Sequence, residues 1–572
     1  MLLPFFYNFA ISIVWLNPAT DLNFNPIQNQ GFQNEIGKTY NRFPPRAQSI
    51  VSESIWKSSL HSTSLTIKFV TDSSKLQIQY ELEEMNIYPM MTTLGTSGIE
   101  LYGFDCDGTV HFFSGEYTYG EKISVNFDGF NKSVTYTYFL TLPSFSAIKP
   151  SSLLIGYDNN CYFSVIHSEL ERPIVVLGSS IAQGSSANRP GLTWVNWLSR
   201  ELLMPVRNYG FEGEDILDGN VIDLIIEDEA VAYILDCQAG FIRADVNDIV
   251  KKTTDAYKKI RNKWPETPIV LIEFGGFSNE MFISEYINYS DNMKTAFKKT
   301  QETLDEYKDK NLYYISKSDL NFKGDDFSDI YHPQETGMEK QKTEIVNLLR
   351  DVLRMPFNNE SIPYSTQFPV IHHRVVQFLD RHHEILESVM NLDKSKQYNA
   401  IIGDSITEYW IKKNYSSWTR IMEKNNYINL GSRGDRVENV LYRIYRDEVY
   451  SKYVKFNKIV VLIGTNNLVV NKNNNTQIVE GIRFLMRCVH EKQPQAKIII
   501  LGVYPRDKYD DRIKELNGGI EKMANEEGWQ FSNPGLELLD KNTGYINNAL
   551  FIDGLHPNNE GYEIVAPLIG AL

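Results

Sequence analysis

Two short motifs occur twice in this chain at nearly the same separation, and no other feature restricts its fold as much. Gly178-Ser179-Ser180 follows the apolar run at 174–177, and Gly403-Asp404-Ser405 follows the one at 400–402. Asp329-Ile330-Tyr331-His332-Pro333 and Asp553-Gly554-Leu555-His556-Pro557 each stand ahead of a glycine, Gly337 and Gly561, near the start of a last helical pattern. Ser180 and His332 lie 152 residues apart, Ser405 and His556 151. One motif alone is weak, but two pairs at one spacing read as a diverged internal duplication. A chain built this way must fold the same architecture twice.

The periodicity agrees. Up to about residue 168 the chain alternates apolar and polar residues in short runs (65–70, 76–82, 110–113 and 133–142), broken by Gly, Asp, Asn and Ser turns. That predicts an all-β sandwich over 1–168. From Arg172 the runs become continuously apolar (174–177, 232–235 and 269–272) and alternate with helical stretches, the pattern of a parallel, doubly wound α/β sheet. Residues 355–369 (MPFNNESIPYSTQFP) lack periodicity and read as part of a linker. A polar helix over 374–392 then opens a second α/β series, with apolar runs at 400–402, 459–463 and 498–501. The expected organisation is a sandwich (1–168), a first α/β domain (169–355), a linker (356–375) and a second α/β domain (376–572), which fits the three or four domains that 572 residues allow.

Composition excludes several classes. A net charge of −15, without a densely basic window, opposes a phosphate-tracking surface, so nucleic acid is not expected as a partner. Apolar content of 42% with 23% charged residues suits a soluble folded chain. The four cysteines show no metal-ligand spacing. Only Cys106 and Cys161 share an expected domain, so one disulfide is open, but separate buried thiols are the expectation. The pairs His372-His373 and His382-His383 flank a helix and read as solvated positions, so no metal and no cofactor is called for. The start, residues 2–16, is apolar but shorter than the roughly 20 residues a spanning helix needs. It looks like a leader without a basic n-region, because Lys38 is the first basic residue. A trimmed leader and a first strand read alike here, and a secreted or periplasmic protein is the working expectation.

The second α/β region carries a complete set of acyl-transfer groups. Ser405 stands where a strand stops and a turn begins, the edge at which doubly wound sheets bind ligands. A serine is a poor nucleophile until a base takes its proton. His556 is the candidate base. Asp553, three residues earlier, is placed to hold the imidazole tautomer and stabilise the imidazolium. A developing oxyanion needs donors. Two loops after strands offer them: the backbone N–H of Gly434 in Asn429-Leu430-Gly431-Ser432-Arg433-Gly434-Asp435, and the side-chain amide of Asn466 in Gly464-Thr465-Asn466-Asn467. The N–H of Ser405 makes a third.

These blocks, in order, resemble the SGNH (GDSL-like) hydrolase family. The Gly434-Asp435 loop, with 440–444 and the Gly464-Thr465-Asn466-Asn467 block, is similar to the branch containing platelet-activating-factor acetylhydrolase catalytic subunits. That resemblance covers 376–572. It implies a flavodoxin-like fold, Ser405 as nucleophile, Gly434 and Asn466 in the oxyanion hole, and Asp553 with His556 completing the triad. The first region, with Gly178-Ser179-Ser180-Ile181-Ala182-Gln183-Gly184, resembles a different branch, one of bacterial carbohydrate esterases preceded by a β-sandwich. Tyr40-Asn41-Arg42-Phe43-Pro44 and Gly95-Thr96-Ser97-Gly98-Ile99-Glu100-Leu101-Tyr102 match that sandwich. Carried over, Ser180 is the nucleophile, Gly213 an oxyanion donor, and Asp329 with His332 the rest of the triad.

The first region departs from its branch in two places. Asp236-Cys237-Gln238-Ala239-Gly240 puts Gly240 where the branch ends its block in asparagine, and Met90 stands where a histidine is usual. Loss of one oxyanion donor costs about 10²–10³ in rate. Three readings stay open there: an active site with a replaced donor, Gln238 being one candidate, a slow or specialised site, and a binding or structural relic. The function expected is a metal-independent esterase that removes acetyl groups from an acetylated glycan. The alternatives are a lipid-ester or thioester hydrolase, and a glycan-binding protein with relic sites.

Overall fold

The structure is a computed structural model that describes residues 12–104, 110–120, 122–130, 136–213, 216–353, 364–367, 369–372, 375–470 and 473–572. It divides into two compact units, one reaching to Met355 and the other built on the residues that follow.

The first unit opens with two antiparallel sheets. One orders its strands Ile13–Leu16, Leu154–Asp158, Lys75–Tyr80, Ile123–Asp128, Glu116–Thr118, and the other Phe163–Val165, Thr66–Thr71, Tyr136–Thr141, Glu100–Phe104, Val110–Phe113. Alternation decides which face is buried: Lys75–Tyr80 turns Leu76, Ile78 and Tyr80 inward and leaves Lys75, Gln77 and Gln79 at the surface. Inward residues of both sheets, among them Ile67, Phe69, Val125, Leu140 and Ile155, form one core. Part of the leader-like start is structural, because Ile13–Leu16 pairs antiparallel with Leu154–Asp158. Residues 2–11 and Cys106 lie outside the described residues.

The same unit continues into a parallel sheet ordered Val206–Gly210, Ile174–Gly178, Ala232–Asp236, Ile269–Ile272, Leu312–Ile315. The second unit repeats it as Tyr427–Gly431, Tyr398–Gly403, Phe456–Leu462, Lys497–Leu501, Gln530–Ser532. Counted along the chain, both orders are 2-1-3-4-5, the flavodoxin-like doubly wound sheet. Helices cover both faces, which is why Ile174–Gly178 and Ala232–Asp236 are buried along their whole length and read as unbroken apolar runs.

The sheet leads straight to the serines. Gly178 pairs with Gly210 and Asp236, and Gly403 with Gly431 and Leu462, so each first strand ends level with both neighbours. Helices Ser180–Gln183 and Ser405–Lys412 start two residues later. The turn is tight enough to require glycine. A Cβ on Gly403 would lie 2.1 Å from Thr407 Oγ1 and 2.7 Å from the Leu462 carbonyl, and one on Gly178 2.4 Å from Ala182 Cβ.

The 356–375 stretch is not all free of the second unit. Thr366 is buried and donates to the Gln477 carbonyl, and Val370 donates its N–H to Glu438 and accepts from Asn439 Nδ2. No described helix is long and apolar enough to cross a membrane.

Candidate active sites

In the second unit, Ser405 Oγ lies 2.8 Å from His556 Nε2, and His556 Nδ1 lies 2.7 Å from Asp553 Oδ2. One loop presents both partners because Asp553 folds it: its other oxygen, Oδ1, accepts the N–H groups of Leu555 and His556. With Nδ1–H donating to the carboxylate, Nε2 is the nitrogen that faces the serine as an acceptor. Burial alone would raise the Asp553 carboxyl, but the hydrogen bonds and charge of His556 hold it below the usual carboxylate range.

The first unit has the same construction. Ser180 Oγ is 3.0 Å from His332 Nε2, and His332 Nδ1 is 2.8 Å from Asp329 Oδ2, while Asp329 Oδ1 accepts from the N–H groups of Tyr331 and His332. Asp329 is likewise held low by His332 against the effect of burial. All six residues expected to form triads are therefore brought together, three in each unit.

The oxyanion loops also correspond. Gly213 has φ +138° and Gly434 φ +83°, a region that L side chains avoid, so glycine is required at both. The residue three after each serine ties this loop to the serine's own helix. Gln183 Oε1 accepts the N–H of Glu212 at 3.0 Å, and Glu408 Oε2 accepts the N–H of Arg433 at 2.6 Å. Glu212 and Arg433 directly precede the two glycines. In the second unit Asn466 is buried and gives one amide hydrogen to the Asp435 carbonyl at 2.9 Å, on the loop that carries Gly434.

In the first unit the corresponding donor is missing and Gln238 does not take its place. Its Oε1 accepts the N–H of Phe274 at 2.7 Å, and the residue does not line the cavity over Ser180, which Ala239 and Gly240 do. The close packing of Gly240 accounts for the glycine: a Cβ there would lie 2.6 Å from Ile216 Cδ1 and 3.2 Å from the Gly213 carbonyl. The cavity holds about 480 Å³ and carries both aromatic and charged walls. Tyr88, Met90 and Phe145 come from the sandwich, and Tyr286, Tyr289 and Tyr331 from the α/β part. Tyr88 donates to Glu212 at 2.9 Å and Tyr289 to Glu285 at 2.7 Å, and Arg243 stands at the rim.

The expectation of solvated histidine pairs is corrected for His372 and His382, whereas His383 is partly exposed and His373 lies outside the described residues. His372 is 1% exposed and its Nε2 donates to the Gly434 carbonyl at 3.0 Å, while His382 is 3% exposed and its Nδ1 lies 2.7 Å from Glu448 Oε1. Glu448 in turn pairs with Arg443, which is fully buried and reaches Asp435 Oδ2 at 2.8 Å. A buried charge persists only when paired, and this relay ends beside the oxyanion glycine. No sequence pattern announces it, because the partners are 66 residues apart along the chain. Among the described residues no group of three or more His, Cys, Asp or Glu gathers to hold a metal.

Comparison with known proteins agrees with this geometry. Models described as the GDSL-like Lipase/Acylhydrolase family match residues 171–350 and 401–564, and one described as the N-terminus of Esterase SGNH hydro-type matches 13–163. Human platelet-activating factor acetylhydrolase IB subunit alpha2 is 29% identical over 183 residues, 31% of this chain and 76% of that protein. The human alpha1 subunit is 25% identical over 203 residues, 34% of this chain and 82% of that protein. Among solved structures, a GDSL-like lipase candidate from Bacteroides ovatus aligns with TM-score 0.55 at 24% identity, covering 61% of this chain and all of that one, a likeness of fold.

Proposed function

Because this chain belongs to the GDSL-like lipase/acylhydrolase (SGNH) family and carries its hydrolase domain twice, we propose that it is a serine esterase that removes acetyl groups from acetylated polysaccharides or oligosaccharides. The observation that carries the glycan reading is the cavity over Ser180, where tyrosine faces stand beside the carboxylates of Glu212 and Glu285. Aromatic faces stack on sugar rings and carboxylates accept sugar hydroxyls.

The chemistry follows from the triads. Ser405 Oγ attacks the ester carbonyl carbon as His556 Nε2 takes its proton. The carbonyl oxygen becomes an oxyanion held by the N–H groups of Ser405 and Gly434 and by the Asn466 amide. Collapse breaks the bond to the sugar oxygen, which leaves with the proton from His556, and an acetyl-serine remains. Water, deprotonated by the same histidine, then releases acetate and restores the serine. Ser180, His332 and Asp329 run the same steps with Gly213 and without an amide donor. A polymeric substrate places the working protein outside the cytoplasm, secreted or periplasmic.

Acetate release from acetylated xylan and acetylated oligosaccharides tests this reading. Release by the intact chain, lost in the Ser180→Ala/Ser405→Ala double variant, is the expected result. A second reading, hydrolysis of a short acyl ester on a lipid, draws on the likeness to proteins named platelet-activating factor acetylhydrolase. No acetate from any acetylated glycan, with turnover of such a lipid, would replace the first reading by the second.

A further inference from the structure

In both units an arginine from upstream of the hydrolase sheet reaches the strand that leads to the oxyanion glycine. Arg42, in the sandwich, is 2% exposed and its guanidinium donates to the carbonyls of Asn208 (3.1 Å) and Gly210. Arg381, on helix Val375–Met390, is 9% exposed and donates to the carbonyls of Asn429 (3.1 Å) and Gly431 (2.9 Å). These are equivalent positions. Asn208 and Asn429 each accept the N–H of the glycine two residues on, and each donates to the nucleophile turn, at Ala182 and Thr407.

The strands concerned, Val206–Gly210 and Tyr427–Gly431, are the edge strands of their sheets. An edge strand has one side without a strand partner, and carbonyls two residues apart point the same way. Buried carbonyls there need a donor, and one guanidinium serves two at once, through Nε and Nη2 at Arg381 and through Nη1 at Arg42. Gly213 and Gly434 lie only three positions after Gly210 and Gly431, so a shift at the strand end is passed to the oxyanion donor. The two arginines sit in unrelated elements, a sandwich and a helix, yet make the same contact.

We propose that Arg42 and Arg381 are positioning residues that fix the two oxyanion loops, so that each hydrolase sheet depends for turnover on the segment preceding it. Arg381 lies ahead of the family-matched residues 401–564. The proposal rests on ester hydrolysis and not on the glycan reading, so it is tested with p-nitrophenyl acetate.

In a full-length Ser180→Ala chain, which reports Ser405 alone, Arg381→Met is expected to lower kcat by about tenfold or more with KM changed less than about twofold, the signature of a displaced transition-state donor. Affinity for an alkyl boronic acid, which mimics the tetrahedral intermediate, falls by the same factor, and Arg381→Lys recovers part of both. In a Ser405→Ala chain, Arg381→Met leaves the fluorophosphonate labelling rate of Ser180 unchanged, while Arg42→Met slows it. A folded Arg381→Met chain with kcat and boronate affinity within about twofold of its parent overturns the proposal, as does equal loss at both serines. If Arg381→Met does not fold, Arg381→Lys decides: its compact, strongly hydrated ammonium lacks the rigid planar geometry of the guanidinium and is expected to hold the two carbonyls less firmly, and kcat and boronate affinity within about twofold of the parent in it overturn the proposal equally. A parent chain that neither turns over the ester nor takes the label would instead remove the esterase reading, and this proposal with it.

Discussion

The two hydrolase sheets share strand order, nucleophile turn and triad, and they differ in what surrounds the serine. The second has Asp404 before its serine and a buried Asn466 amide that donates to the Asp435 carbonyl. Its triad carboxylate, Asp553, has a side chain 51% exposed. The first has Ser179 and Gly240 at those places, a more enclosed triad with the Asp329 side chain 28% exposed, and a cavity partly walled by the sandwich. The comparison teaches that the duplication kept the acid–base apparatus in both copies while the electrophilic side diverged. The second sheet keeps the asparagine amide that the first lacks, and the first buries its Asp329 and His332 side chains more deeply, although Ser405 is the more buried of the two serines.

The largest test of that contrast is removal of the nucleophiles. Starting from Ser180→Ala, adding Ser405→Ala is expected to cut kcat on p-nitrophenyl acetate by about 10⁴-fold or more, measured in steady-state assays. Next comes the donor difference. Asn466→Gly, which gives the second sheet the first sheet's residue, should cost about 10²–10³ in kcat in the Ser180→Ala chain. The reverse exchange is not a gain. Gly240→Asn places a Cβ against Ile216 and the Gly213 carbonyl and should destabilise the first unit by about 1–3 kcal/mol, read by chemical unfolding, without raising the rate at Ser180. A Gly240→Asn chain that is both stable and faster would break the account of why the donor is missing.

The smallest expected effect concerns pH. Asp404 caps the nucleophile helix through the Ile406 N–H, and burial pushes its carboxyl up to about 7. In the unfolded chain that group titrates near about 4. Between those values the folded unit keeps a proton that the unfolded chain has already lost, so the stability owed to this group falls as pH rises through the window. Ser179 caps the other helix through its neutral hydroxyl, so the first unit lacks that contribution at this position. Asp404→Ser should therefore flatten the decline of the second unit's unfolding midpoint between about pH 4 and 7. An unchanged slope would show that the carboxyl is already ionised in the fold.

Much of this was legible in the sequence because it is written in local pattern. Continuous apolar runs mark buried parallel strands, alternation marks the sandwich, and Gly-x-Ser with Asp-x-x-His-Pro marks the strand ends. Runs at 174–177 and 269–272 became the strands Ile174–Gly178 and Ile269–Ile272. What stayed hidden depends on distant partners. Arg42 meets a strand 166 to 168 residues further along, and His382 looked like a surface helix position until Glu448 was seen against it. The direction of Gln238 was equally unreadable, since it is set by the N–H of Phe274 across the sheet. Polar groups of this kind are placed by the need to satisfy buried backbone, and no residue-type pattern records that need.

The central claim is that one chain carries two activated serines. Intact-mass measurement after reaction with a fluorophosphonate tests it most directly. The account predicts two adducts per chain, on Ser180 and Ser405, falling to one in each single Ser→Ala variant and to none in the double variant, with Ser405 labelled faster. A single adduct on the native chain, or labelling that survives loss of both serines, would contradict it.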